Sequence, residues 1–415
     1  MESYVFIILA GVIGFAMAFA IGANDVANAM ATSVGSRVIT IKQAIIIAAV
    51  FEALGASMAS GQVTVTLRSG IFDVGYFDQT PVLLVCAMLA ALCASFSWLG
   101  IATYYRWPVS TTHSIVGSLL GVGLVSAGYK LIHWIVLLQI FLSWLVLPVI
   151  SGGLAFLIFR LTQSWIFNQQ HPIQRAQKLL PWYMFVVVFC MSAITLKTCT
   201  QGVGFSFSNQ DVVFFCCVCA VIVSVLGYLL MRRHHRKVGI GLKQQYQIVE
   251  RFFGLLAVVT ACAMAFSHGS NDVANAIGPM AAVIDIVRTG QVNQGNVVPW
   301  SLAVFGAVGI VAGLAIYGYR IIESVGKGIT SLTPSRSFSA QFSTALMIMI
   351  SSGLGMPVST TQTLVGAILG VGMARGIGAI NLHVVRQIFM SWLITLPTGA
   401  ILAVVYFYIL QWLFI

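Results

Sequence analysis

The chain has 415 residues, of which 59% are hydrophobic and 7% are charged, and its net charge is +11. A soluble domain carries roughly 25% charged residues, so this composition excludes a soluble enzyme, a disordered chain and a disulfide-stapled secreted domain. The unbroken apolar run at residues 132–159 also disfavours a β-barrel, whose strands alternate apolar and polar residues. Because a membrane-spanning helix needs about 20 apolar residues, the composition predicts an all-α polytopic membrane protein in a lipid bilayer.

Hydropathy predicts about twelve transmembrane helices. In chain order they cover residues 4–22, 41–60, 82–101, 110–128, 131–160, 182–200, 212–231, 252–268, 298–319, 340–356, 360–378 and 382–414. The most polar stretch is 231–250; if it is cytoplasmic, seventeen of the 21 Lys and Arg residues lie inside. The positive-inside rule then predicts both termini outside the cytoplasm, and it explains the basic charge without nucleic acid as a partner.

Two sequence blocks occur twice in the same order. The block AMAFAIGANDVANA at 16–29 returns as AMAFSHGSNDVANA at 263–276, and PVSTTHSIVGSLLGVG at 108–123 returns as PVSTTQTLVGAILGVG at 357–372. Seven predicted spans separate the starts of the two copies, and an odd number inverts the second copy. Inverted-topology repeats are typical of secondary transporters, with the substrate site at the repeat interface. We therefore expect a first inverted repeat at 1–165, linking helices with a basic cytoplasmic loop at 166–250, and a second inverted repeat at 251–415.

The GANDVANA motif predicts a helix that is broken within the membrane. Gly22 could end one helix, while Asn24 and Asp25 could cap a second helix that starts at Val26. The second copy, residues 269–275, predicts the same break. A broken backbone is tolerated inside a bilayer where it lines a cavity, so we expect a substrate site here. The alternative is an ordinary short loop that leaves the aspartate in water.

The PVSTT motif predicts the start of a helix. Its proline stops the preceding helix, and its serine caps the next one. Exposed backbone N–H groups and hydroxyl donors at a helix N-terminus favour an anion. The candidate donors are Ser110, Thr111, Thr112, Ser359, Thr360 and Thr361. The alternative is that these hydroxyls only pack between membrane helices.

Three acids lie within apolar or motif segments, namely Asp25, Glu52 and Asp272. The motifs contain no Lys or Arg, so sodium ions or protons are the expected neutralising charges. A carboxylate repels sulfate, whereas hydrogen phosphate can donate its proton to that carboxylate, so the acids favour phosphate. The alternative for Glu52 is a buried acid that stays protonated. His113 and His268 are expected to pack as polar residues, with a proton relay as the alternative, and no enzyme motif such as HExxH or GxSxG is present.

The paired motifs resemble those of the inorganic phosphate transporter (PiT) family of cation-coupled carriers over nearly the whole chain. The resemblance implies phosphate binding by Asp25, Ser110, Thr111, Thr112, Asp272, Ser359, Thr360 and Thr361. It implies sodium ligation by Asn24, Asp25, Asn28, Glu52, Asn271, Asp272 and Asn275. Gln341 departs from an acid found in some sodium-coupled members, which puts the number of cations in doubt. The absence of the large soluble loop of animal members indicates a bacterial inner-membrane form.

These observations predict a secondary active transporter that imports inorganic phosphate with sodium by alternating access. Proton coupling, with phosphate carried as a metal complex, is the main alternative, followed by a sulfate carrier of the same fold and by a channel. We expect no enzymatic activity and no cofactor other than co-transported sodium. Assembly as a homodimer is a further expectation.

Overall fold

The computed structural model describes residues 2–105, 107–203, 208–232, 241–292, 299–318, 331–376 and 381–415, without the side chains at 2–3, 27–28, 200–203, 382, 384 and 387. Within these ranges the protein is helical, and its β-structure is one isolated bridge between Phe72 and Ile132. Nine of the helices described are long and apolar enough to cross a membrane. The prediction of an all-α polytopic membrane protein is confirmed.

The helices are numbered here in chain order. They are α1 (Glu2–Gly35), α2 (Ile41–Ala59), α3 (Gly61–Val65, extended by a π-helical turn at Thr66–Gly70), α4 (Pro81–Tyr104), α5 (Thr111–Ser126), α6 (Trp134–Thr162), α7 (Pro172–Val203), α8 (Asn209–Arg232), α9 (Leu242–Asp272), α10 (Ala274–Thr289), α11 (Trp300–Gly313), α12 (Pro334–Gly353), α13 (Thr360–Met373) and α14 (Leu382–Phe414). Each of the twelve predicted spans overlaps one of these helices.

Helices α5 and α13 are shorter than the spans predicted at 110–128 and 360–378. They contain 16 and 14 residues, which corresponds to about 24 and 21 Å at 1.5 Å per residue, less than a hydrocarbon core of about 30 Å. Helix α4 with α5, and α12 with α13, form two hairpins. Their tips meet, because the Thr112 hydroxyl donates to the Val358 carbonyl at 3.0 Å and the Thr361 hydroxyl lies 3.4 Å from the Val109 carbonyl oxygen.

The break predicted at the GANDVANA motif is wrong for the first copy, since α1 is continuous from Glu2 to Gly35. In the second copy one residue, Val273, separates α9 from α10, and it keeps helical dihedral angles (φ −61, ψ −30). Gly22 has another purpose, because a Cβ added there would lie 1.9 Å from the Ile310 carbonyl oxygen of α11. This glycine lets two helix backbones approach closely instead of ending a helix.

Glycines also hold the two short helices against distant partners. A Cβ added at Gly370 of α13 would lie 1.9 Å from the Gly152 carbonyl oxygen of α6. In the matching position of the first copy, a Cβ added at Gly121 of α5 would lie 2.6 Å from the Ala400 carbonyl oxygen of α14. Each short helix therefore packs on a long helix from the other half of the chain, which fixes the hairpin tips at the centre.

Candidate functional site

Two buried aspartates meet three threonine hydroxyls where the hairpin tips join. Thr111 donates to Oδ2 of Asp25 at 2.7 Å, and Thr361 donates to Oδ1 of Asp25 at 2.8 Å. Thr360 donates to Oδ2 of Asp272 at 3.1 Å, and the Thr111 hydroxyl lies 3.4 Å from the same oxygen. All five side chains are almost completely buried. We refer to these residues as the carboxylate–threonine cluster; it brings both GANDVANA motifs and both PVSTT motifs to one place.

The helix starts predicted at the PVSTT motifs are confirmed. Ser110 is the N-cap of α5 and accepts a hydrogen bond from the His113 N–H at 3.2 Å, while Ser359 caps α13 through the Gln362 N–H at 3.2 Å. The serine oxygens therefore serve the helix ends. The first N–H groups of a helix have no intrahelical acceptor and carry the positive end of its dipole. Two such ends face the cluster, so it can attract an anion despite its carboxylates.

The asparagines of the two motifs have different surroundings. Asn275 donates to the hydroxyls of Thr111 and Thr112, both at 3.3 Å, so it borders the cluster. Asn24 donates to the Thr103 hydroxyl at 3.0 Å. Asn271 donates to the Met356 carbonyl at 3.2 Å and accepts from the Val358 N–H at 3.3 Å. Asn24 and Asn271 therefore form hydrogen bonds to residues next to the two hairpin turns. The side chain of Asn28 lies outside the described residues.

His268 joins Glu52 to the cluster. Its Nε2 lies 3.1 Å from Oδ2 of Asp272 and its Nδ1 lies 3.3 Å from Oε1 of Glu52, and the three side chains are fully buried. Ligand atoms of Asp25, His268 and Asp272 lie within 4.8 Å of one another, a spacing suited to a metal ion. Polar packing was expected for His268 in preference to a proton relay, and its contacts with these two acids were not predicted from the sequence. His113 stacks on Trp144 with ring centroids 3.8 Å apart, which is a packing contact.

Several oxygens near the cluster are buried without a hydrogen-bond donor among the residues described. They are Oδ1 of Asp272, Oδ1 of Asn275 and Oε2 of Glu52, whereas Oε1 of Glu52 lies 3.3 Å from Nδ1 of His268. A buried oxygen without a donor is costly unless it binds a ligand or a proton. Carboxylate and amide oxygens are ligands for hard cations. This side of the site is therefore chemically suited to a small cation.

Gln341 lies in a hydrogen-bond network of its own. Its Oε1 accepts from the Ser33 and Thr260 hydroxyls, each at 3.1 Å, and its Nε2 donates to the Ala29 carbonyl at 3.3 Å. Ala29 is one helical turn beyond Asp25 along α1. The amide thus links α1, α9 and α12 next to the cluster, and its polar atoms have protein partners.

Comparisons with known proteins agree on one family. The profile of the phosphate transporter family matches residues 21–403. A protein of Haemophilus influenzae named "Putative phosphate permease" is 46% identical, over 98% of this chain and 97% of its own length. The chloroplastic inorganic phosphate transporter 2-1 of Arabidopsis thaliana is 41% identical, over 95% of this chain and 70% of its own. A solved structure titled "The sodium-dependent phosphate transporter" has a TM-score of 0.92 and 38% identity, covering 99% of this chain and 100% of that one.

Proposed function

The chain belongs to the phosphate transporter family, and from that premise we propose that it imports inorganic phosphate as a sodium-coupled secondary transporter. The observation that carries the proposal is the buried carboxylate–threonine cluster. Phosphate would bind between the two PVSTT helix starts. There, the first-turn N–H groups of the helices capped by Ser110 and Ser359 form two positive helix ends. The side chains in contact with it would come from the list predicted from sequence: Asp25, Thr111, Thr112, Asp272, Thr360 and Thr361.

The two carboxylates account for selection of phosphate over sulfate. Each carboxylate of the cluster is held by a threonine hydroxyl, so it is oriented before the anion arrives. Hydrogen phosphate can donate a proton to one of them in a charge-assisted hydrogen bond. Sulfate at neutral pH has no proton to donate, and its oxygens would be repelled. The charges in the site thus disfavour a sulfate carrier of the same fold.

Sodium would enter beside the phosphate, on the side of Glu52 and Asp272. Two buried aspartates and a divalent anion form a site that is too negative without cations. The oxygens of Asp272, Asn275 and Glu52 without donors supply hard ligands. The solved relative is titled as sodium-dependent, which supports this choice. Asn24 and Asn271 would then shape the site by holding the hairpin turns.

Proton coupling is the second candidate, and one observation favours it. The His268 imidazole contacts two acids at once, which is an arrangement that can exchange protons between them. In that case His268 and Glu52 would carry the coupling charge, and no sodium would be required. Phosphate could then be carried as a metal complex.

Alternating access would operate through the hairpin tips. The tips bond directly to each other through Thr112 and Thr361, so phosphate can reach the cluster only when they separate. If the inverted repeats at 1–165 and 251–415 hold, separation on one side of the membrane is mirrored by separation on the other. A channel would need both sides open together.

The membrane orientation remains a prediction from charge. We place the protein in a bacterial inner membrane with both termini outside the cytoplasm and with the basic loop at 231–250 inside. Residues 233–240 of that loop lie outside the described residues. A cysteine introduced at Ile240 should react with an impermeant thiol reagent only after cells are permeabilised. Labelling of intact cells at this position would reverse the orientation.

Uptake by purified protein tests the proposed function. Proteoliposomes receive radiolabelled phosphate under an imposed sodium gradient, a proton gradient, or neither, with choline replacing sodium. Sodium-driven accumulation that persists with a protonophore supports sodium coupling. Accumulation that requires a proton gradient and not sodium would give proton coupling first place. Uptake of sulfate at the same rate would refute the phosphate site.

A further inference from the structure

A basic cleft lies between α7 and α8, away from the carboxylate–threonine cluster. Its volume is ≈ 540 Å³, and its lining includes Gln174, Gln177, Lys178, Trp182, Tyr228 and Arg232. A second cavity of ≈ 430 Å³ adjoins it, shares Gln174 and Lys178, and adds His171 and Arg175. Among the residues that the structure describes, neither cavity has an acidic side chain in its lining.

The cleft offers hydrogen-bond donors and positive charge. Among the described residues, Lys178 and Arg232 form no ion pair. The Nε2 of Gln177 is buried and has no acceptor in the part of the chain described. A buried donor without an acceptor costs free energy unless a ligand supplies an oxygen. Two cations and an unused amide donor in one cleft therefore favour an anionic ligand with several oxygens, such as a phosphate group.

The helices that form the cleft are mostly exposed on the outside of the protein. In an apolar stretch of 18 residues, only 22% of α7 and 17% of α8 is buried inside the protein. Val186 on α7 and Val225 on α8 are exposed, as is Trp182 at the edge of the cleft. Tryptophan beside basic residues is typical of the level of the lipid headgroups. The cleft thus lies where a headgroup phosphate and its acyl chains can be bound together.

We propose that this cleft binds the phosphate of an anionic phospholipid headgroup. Lys178 and Arg232 contact the phosphate oxygens, Gln177 donates its amide hydrogen, and the acyl chains lie along the exposed faces of α7 and α8. Basic pockets between membrane helices on the cytoplasmic side suit such headgroups. Free inorganic phosphate shares the headgroup chemistry, but it would leave the neighbouring apolar faces unused.

The test compares a double variant with a control of equal charge change. Lys178→Gln with Arg232→Gln removes both cations of the cleft. Lys42→Gln with Arg251→Gln removes two exposed cations elsewhere. Phosphatidylglycerol retained by full-length protein is counted by native mass spectrometry and titrated in detergent, with phosphatidylcholine as the neutral lipid.

We expect the cleft variant to bind phosphatidylglycerol roughly ten- to thirty-fold more weakly, and the control to bind it as the unmodified protein does. Lys178→Gln and Arg232→Gln alone should each lose part of the affinity for phosphatidylglycerol. These single variants provide the test if the double variant does not fold. Equal binding by the cleft and control variants would overturn the proposal. Loss of a second bound phosphate ion from the cleft variant would instead assign the cleft to free phosphate. A change in oligomeric state confined to the cleft variant would assign it to an interface between copies. Either outcome rejects the lipid.

Discussion

Thr111→Val is the sharpest test of the cluster, because valine keeps the shape of threonine and removes only the hydroxyl. Thr111 contacts both carboxylates, at 2.7 Å from Asp25 and 3.4 Å from Asp272, and it accepts from Asn275 at 3.3 Å. A hydrogen bond to a charged group contributes about 1.5–3 kcal/mol. Phosphate affinity should therefore fall roughly ten- to 150-fold. For Thr360→Val the loss of phosphate affinity should lie nearer the lower end of this range, since Thr360 contacts only one of the two carboxylates, that of Asp272.

Thr363→Val provides the matched control for this prediction. Thr363 is also buried on α13, but its hydroxyl donates to the Ser359 carbonyl of its own helix at 2.8 Å. Its loss should leave phosphate affinity close to that of the unmodified protein. The assay is equilibrium binding of radiolabelled phosphate to purified protein at fixed sodium, with gel filtration to confirm folding. An unchanged Kd for Thr111→Val, or an equal loss for Thr363→Val, would refute the assignment of the cluster.

Three further predictions concern the acids and the helix contacts. Asp25→Asn and Asp272→Asn should each abolish phosphate uptake into proteoliposomes in protein that still folds, because an amide cannot accept the phosphate proton in a charge-assisted bond; near-normal uptake would contradict the shared site. Glu52→Gln should reduce sodium-driven accumulation more than phosphate exchange without a gradient, and an equal loss of both would place Glu52 in the phosphate site itself. Gly22→Ala should destabilise the protein by about 1–3 kcal/mol through overpacking, seen as a lower melting temperature, whereas Gly11→Ala, with no neighbour within 4 Å, should not.

The sequence predicts the helices and the pairing of the motifs for clear physical reasons. Hydropathy predicts a helix for each long apolar segment, because a helix satisfies the hydrogen bonds of its own backbone N–H and C=O groups in lipid. The serines of the PVSTT motifs predict the N-caps because capping is a local interaction. The meeting of Asp25 with Thr361 depends on the repeat, since equivalent residues were expected at one interface. These features need no knowledge of which helix packs on which.

The predictions that are wrong concern features that depend on tertiary contacts. Gly22 is compatible with a helix end or with close packing of two helices, and only the position of Ile310 distinguishes them. Because a helix break was expected at this motif, the contact between His268 and Asp272 was not predicted. His268 and Asp272 are four residues apart and therefore share a helix face only when the helix continues between them. A continuous α9 would have predicted their contact from spacing alone.

The two copies of the motif contribute matching aspartates to the carboxylate–threonine cluster and differ in what lies beside them. A Cβ at Gly22 would meet the Ile310 carbonyl oxygen, and a Cβ at Gly269 would meet the Glu52 carbonyl oxygen, so Ile310 and Glu52 occupy matching places. The repeat likewise matches His268 with Ile21, and both isoleucines are fully buried. The first copy thus has an apolar contact where the second has an acid beside an imidazole. In the proposed mechanism both copies would contact phosphate, whereas the Glu52–His268 side would take up the coupling cation. We therefore expect cation coupling to respond to changes at Glu52 and His268, whose counterparts beside the first copy are the apolar Ile310 and Ile21.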